Sequence, residues 1–425
     1  NDKITGLTKV YTSYPSSTYA DDAIFELGNT YNNVGRGSEA ISTYQILLKN
    51  YPKSEFVPFA YNRVGLIQYN DNKLDAALAS YKYVIQKYPK TAASQEALIA
   101  VKDIYIDKGD PDGYFDLMKQ YPGAMVSTST QDSIVYQAAE AQFIKGSYDQ
   151  AVKGFDAYIQ TYKNGAFILP ARYYRGESKY YSGNVVGSLP DFEFVIAQPT
   201  NKFSEKSLTR AANISYNQED YSKSATYYES LKEIASTEDL LNEATLGSMR
   251  SYFKIKNYNK ATDYANKVLD MKGLSEIIQV EAVFYRGISQ FNLKNTFAAV
   301  TDLESVIKRI NNEWAAESKY DLALIAYQKN DMDNAEKLCF EFISNYPSYP
   351  QWMVKSYILL SDVYVSKGDY FKAKVTLQSV IDTYEKKDEL YNQAVEKLNK
   401  VKALESQGTN VNNPKGVSGF SEFEK

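Results

Sequence analysis

The feature that most limits what this chain can fold into is a small residue that returns every 36 to 38 positions. Counting from Ala151, the steps forward reach Ser188, Ser224, Ala261, Ala299, Ala335 and Ala373, and the steps back reach Tyr114, Ala77 and Ala40. Only Tyr114 is large. Twelve residues before each of these positions a second small residue recurs, as Gly28, Gly65, Ala139, Gly176, Ala212, Gly287, Ala323 and Ser361, with Lys102 and Met249 as exceptions. Helix backbones come within about 8 Å of each other only where small side chains stand at the crossing. Two registers of small residues therefore predict pairs of closely packed helices. The stretch from Ser147 to Tyr162, with apolar residues three and four apart, shows one such helix. Tyr44, Tyr81, Phe155, Phe192, Tyr228, Leu303 and Leu377 stand four residues after the second small position, on the same face, and are the expected fillers around the crossing.

The turns fit this reading. In Lys145-Gly146-Ser147 and Lys367-Gly368-Asp369 the glycine admits a left-handed conformation and the Ser or Asp is placed to cap the next helix. Several second helices run into Tyr-Pro (Tyr51-Pro52, Tyr88-Pro89, Tyr346-Pro347), where proline stops the helical ladder. Helix hairpins in tandem make an all-α solenoid. Gly65, Ala77, Tyr81 and Pro89, in their order and spacing, resemble the signature of the tetratricopeptide repeat. The resemblance runs along nearly the whole chain and implies a right-handed superhelix of about ten such hairpins, with the first helices lining its concave side. The unit is close to 37 residues instead of about 34. That longer unit, closing on Tyr-Pro, is similar to repeats of bacterial envelope proteins such as the outer-membrane assembly lipoprotein and the periplasmic coordinator of the Tol-Pal system. Residence in the periplasm, associated with the outer membrane, is what this resemblance implies.

The organisation follows from the register. Lys3 to Pro15 read as the second helix of a unit whose first helix is missing, so the parent protein is expected to extend upstream, where any targeting or lipid-anchor segment would be. Ten units follow. The third departs from the pattern: Gly109-Asp-Pro-Asp-Gly113 replaces the usual turn, Tyr114 replaces the small residue and Pro122 comes early, which predicts a short second helix. The expected divisions are repeats over 1–122, a loop or joint at 123–131, further repeats with a capping helix over 132–405, and a polar tail at 406–425. Pro190 should restart or kink its helix. Tyr391, Val395, Leu398, Val401 and Leu404 form the inward face of the cap.

Composition excludes several functions. Lys and Arg total 48 against 52 Asp and Glu, and a formal charge of −4 offers no strong attraction to nucleic acid or an anionic membrane. No apolar run approaches the roughly 18 residues of a membrane span, so any membrane association would come through an absent N-terminal segment or a partner. There is no histidine, which removes Ser-His and Cys-His nucleophiles, imidazole acid-base catalysis and His-ligated zinc. Gly35-Arg-Gly37 reads as a turn instead of a phosphate loop. Asp110-Pro-Asp112-Gly113 and Asp331-Met-Asp333-Asn334 lack the glycine and glutamate of a calcium loop and read as helix-start acids, as does Glu238-Asp239. No catalytic residue, metal site or cofactor is expected. Cys339, the one cysteine, occupies a filler position and reads as a buried small residue.

One positive feature remains. Four residues after the first small position stand Tyr69, Phe143, Tyr180, Tyr216, Phe253, Phe291 and Tyr327. By the resemblance, this part of the first helix borders the concave side. The ladder either receives a peptide or partner helix, with other proteins as the partners, or packs each unit against the next. Phe420 and Phe423, three residues apart in the tail, are a second candidate docking element. The favoured reading is a non-catalytic protein-binding scaffold of the bacterial envelope. The alternatives are a regulatory or targeting module of an enzyme whose catalytic domain lies upstream, and a cytoplasmic adaptor.

Overall fold

A computed structural model describes residues 2–121 and 126–408. Among the described residues there are 22 helices and no strand. A lone helix α1 (Asp2–Ser13) is followed by ten hairpins. The first five are α2 (Ala20–Asn33) with α3 (Gly37–Asn50), α4 (Val57–Asn70) with α5 (Leu74–Lys87), α6 (Ala92–Lys108) with α7 (Pro111–Met118), α8 (Thr128–Ile144) with α9 (Tyr148–Thr161), and α10 (Ile168–Tyr181) with α11 (Val185–Ile196). The next five are α12 (Ser204–Asn217) with α13 (Tyr221–Ile234), α14 (Glu238–Lys254) with α15 (Tyr258–Leu269), α16 (Glu276–Asn292) with α17 (Thr296–Arg309), α18 (Glu313–Gln328) with α19 (Met332–Asn345), and α20 (Pro350–Ser366) with α21 (Tyr370–Thr383). Helix α22 (Glu389–Gly408) follows them. The chain divides into two compact units, Asn1–Ser207 and Leu208–Lys425.

The crossings are where the two registers predict them. Ala40, Ala77, Ala151, Ser188, Ser224, Ala261, Ala299, Ala335 and Ala373 are all 0% exposed. Opposite them, a Cβ on Gly65 would sit 2.9 Å from the Tyr81 ring, and one on Gly176 would sit 3.1 Å from Phe192, so the filler ring lies directly on the glycine backbone. Met249, large where a small residue is expected, faces a filler position taken by Ala265, and both are fully buried. Large and small have changed helices while the volume is conserved. Tyr114 has no such compensation. Its ring packs 6.2 Å from that of Tyr105, and α7 is only eight residues long. Helix α6 instead packs against α8, where Gln142 and Lys145 both donate to the Asp107 carbonyl, at 3.1 and 2.7 Å.

Each hairpin turns on one left-handed residue, five before the second small position. Gly35, Gly109, Gly146, Gly183 and Gly368 take this place in half of the hairpins; Asn72, Glu219, Lys256, Lys294 and Asn330 take it in the others, with φ of 58° to 63°. Except at Gly183, the next amide closes the turn on the carbonyl five residues back, as from Asn257 to Tyr252 at 2.9 Å. Asp369 caps α21 through the Lys372 amide at 3.0 Å, but Ser147 makes no side-chain cap. With ψ near 63° at Ser147, its short hydroxyl does not reach; Asp369 and Asn257 are one bond longer and do, while Asn295 turns its amide to Gln290 and leaves α17 without a side-chain cap. Asp110 and Asp331 cap their helices in the same way, and Glu238 and Asp239 lie in the first turn of α14.

Pro190 does not restart its helix: α11 runs through it from Val185 to Ile196. The carbonyl four residues back belongs to Val186, which is on an exposed turn where water can serve it. Cys339 is fully buried, and burial pushes its thiol up to about 12, so it stays protonated at neutral pH. Leu398 and Val401 of α22 are buried, together with Ala394 on the same face. Of the expected loop at 123–131, residues 123–125 lie outside the described residues and 128–131 already belong to α8.

Replacing Ala151 by Leu should overpack the α8–α9 crossing and destabilise the chain by about 1–3 kcal/mol in chemical denaturation. Conversely, Lys256→Gly should stabilise it by up to about 1 kcal/mol, since a left-handed side-chain-bearing residue costs about 1–2 kcal/mol against a smaller entropic cost for glycine. A lower midpoint for Lys256→Gly would contradict the turn geometry.

Candidate functional site

Within each unit the first helices pack side by side: α2, α4, α6, α8 and α10 in one, and α14, α16, α18, α20 and α22 in the other. Second helices pack on their own first helix and on the next one, as α3 does on α2 and α4 and α17 on α16 and α18, and no two second helices make more than marginal contact among the described residues. The first helices thus form an inner layer, and its free face is the surface where a partner meets side chains from several hairpins at once.

That face carries a polar pattern that the sequence reading missed. At three successive steps, the residue just after one first small position pairs with the residue six before the next. Glu177 meets Lys206 at 2.8 Å, Asn213 donates to Glu243 at 3.4 Å, and Arg250 grips Glu281 with two bonds of 2.7 and 2.6 Å. Glu177 and Glu281 are both buried. Two carboxylates out of water require such partners. Opposite charges about 30 residues apart, once the repeats are aligned, are the signal that would have found these rungs.

The pattern breaks at α16 and α18. The position equivalent to Arg250 is Ile288, and the position equivalent to Glu281 is Glu317. Asp321, one turn further along α18, is 8% exposed. Neither acid has a hydrogen bond or ion pair among the described residues. Lys355, on α20, instead holds its ammonium 3.8 Å from the centre of the Trp352 ring. Burial pushes Glu317 up to about 7 and Asp321 up to about 8; Glu317 adds to the rise at Asp321, while Lys355 opposes both.

The seven aromatic residues of the predicted ladder are all half-buried. They lie at the seams between helices. The Tyr69 hydroxyl donates to Asp107 of the next first helix. Phe143 is 4.9 Å from Tyr174 and 5.9 Å from Tyr148; Phe253 stacks at 4.1 Å on Tyr285. Tyr216 meets Tyr221 edge-on at 5.0 Å, and Tyr180 meets Tyr181 at 5.9 Å. Phe291 and Tyr327 pack against the apolar core of the second unit. Phe420 and Phe423 lie outside the described residues.

The tetratricopeptide repeat family model matches residues 22–54, 60–91 and 281–309. Over those three stretches the chain carries the tetratricopeptide repeat. No curated protein sequence matches it. Among solved structures, it is similar to the TPR domain of P58(IPK), with 16% identity over 92% of this chain and 99% of that one and a TM-score of 0.31. It is similar also to Naa15/Naa10 bound to HypK-THB (14% identity, 96% and 66% covered, TM-score 0.39). A third is YrrB, titled a TPR protein with an unusual peptide-binding site (18%, 48% and 97%, 0.35). Likenesses of this size bear on neither partner nor site. No helix among the described residues is long and apolar enough to cross a membrane.

The acid pair gives the fold a testable pH dependence. Both folded values lie above the carboxylate range of an unfolded chain, about 4. The folded chain therefore keeps protons that the unfolded chain has released, and stability is lost as pH rises from about 4 to about 8. Asp321→Asn should raise the thermal midpoint at pH 8.5 and leave it nearly unchanged at pH 4. Equal shifts at both would show that Asp321 is not held protonated.

Proposed function

We propose that this chain is a scaffold subunit of a bacterial cell-envelope complex, periplasmic and outer-membrane-associated, which binds protein or peptide segments along the inner face of its first helices. The observation that supports the binding reading is the side-by-side packing of those helices within each unit, which gives successive hairpins a shared layer. Aromatic side chains supply contact area at little entropic cost, and flanking charges select among partners. The envelope reading is supported by the unit of close to 37 residues that ends in Tyr-Pro.

A photo-crosslinking phenylalanine analogue placed at Phe253 or Phe291 should give adducts with another protein in cells, and these should be absent when it is placed at Phe297, which is 87% exposed on the outer helix α17. Adducts from Phe297 alone would refute the inner face as the binding surface. Recovery of the protein only in the cytosolic fraction would refute the envelope reading.

A further inference from the structure

Among the described residues, the first helices of the second unit carry one buried acidic pair that the protein itself does not neutralise. Their rungs run Asn213 to Glu243 and Arg250 to Glu281, and then Ile288 stands where the next cation would reach Glu317. Asp362, further along the same layer, is again served internally, by Lys397 with two bonds of 2.7 Å. Between them lie Glu317, half-buried, and Asp321, more than nine-tenths buried, with no hydrogen-bonding or ion-pair partner for either among the described residues. A buried carboxylate without a partner carries a large desolvation cost. Beside the pair, the Trp352 indole N–H is buried and also unpartnered.

We propose that Glu317 and Asp321 are the acceptor for a guanidinium or ammonium group brought by a bound segment of another protein, so that a basic side chain of the partner completes the rung that Ile288 leaves open. The inference rests on the reading of the inner face as the binding surface and names the partner's chemistry there. Arginine fits best: its planar fork can bond two carboxylates at once, as Arg175 bonds both Asp156 and Asp191. Tyr320 and Trp352 supply aromatic surface beside it, with ring centres 5.5 Å apart. Lys355 does not fill the place, because its ammonium rests on the indole. The charged groups facing the pair are Glu313 on α18, Lys355 on α20 and Lys254 on α14. The arriving cation binds the ionised acids and releases their protons, so affinity rises with pH between about 6 and 8.5.

Trp314 and Trp352 are the only tryptophans of the chain and belong to the two helices that frame the site, so fluorescence reports on it directly. The full chain is titrated with a capped glycine-rich pentapeptide carrying one central arginine, and in parallel with the same peptide carrying citrulline, which has nearly the same shape and no charge. The expected result is a saturable fluorescence change with the arginine peptide, at least tenfold weaker with citrulline, tighter at pH 8.5 than at pH 6, and lost in Glu317→Gln. That variant removes an unpaired buried charge and is expected to fold. Ile288→Arg, which supplies the missing rung internally, should also abolish binding. Equal binding of the two peptides would overturn the acid pair as the selecting element while leaving the inner face a peptide-binding surface. Unaltered binding by Glu317→Gln, or no binding of either peptide, would overturn the inference as well, and the crosslinking at Phe253 and Phe291 decides the broader reading independently.

Discussion

The structure depends on one contact repeated along the chain: a residue with almost no side chain on one helix, pressed against the neighbouring helix while a large residue one turn away closes the gap. Filling a crossing with a buried Tyr, Phe or Leu contributes about 1.5–3 kcal/mol, and the approach is open only where the opposite backbone is bare. The exceptions show how strict this is. At Met249 the rule survives because Ala265 gives up the volume that Met249 takes. At Tyr114 no neighbour gives way, the second helix shrinks to eight residues, and α6 turns to α8 for its packing.

A solenoid stacked in this way crowds its first helices, and the crowding creates the chemistry of the inner face. Side chains that would be solvated on an isolated helix are partly withdrawn from water there, so charges are held in pairs across successive hairpins. The pairs at Glu177, Glu281 and Asp362 meet that need internally. Glu317 and Asp321 do not, and their raised proton affinity follows from the same desolvation. A binding scaffold gains from such an incomplete position, because a partner's cation then recovers part of the solvation that folding removed.

The left-handed turn residues follow a related logic. Glycine fills the position in Gly35, Gly109, Gly146, Gly183 and Gly368, yet Lys256, Lys294 and Glu219 adopt the same conformation. A turn that must return the chain to a close crossing imposes its backbone on whatever residue stands there. The tertiary contact is worth more than the local preference, so composition alone understates how regular these turns are.

The sequence by itself determined the hairpins, their number, both registers of small residues, the fillers and the Tyr-Pro ends, because each is a spacing along one helix or across one tight turn. It determined the burial of Cys339 for the same reason. It could not place Glu317, Asp321 or the Arg250–Glu281 rung. Those positions are defined by residues some 30 apart on different hairpins, and whether an acid there is paired, buried or left open depends on how closely the first helices pack. It also left the aromatic ladder undecided between seam and groove. The tertiary structure puts Phe253 on Tyr285 and Tyr69 on Asp107, at the seams, because the stacking of one hairpin on the next, and not the period of the helix, decides which part of each ring is covered.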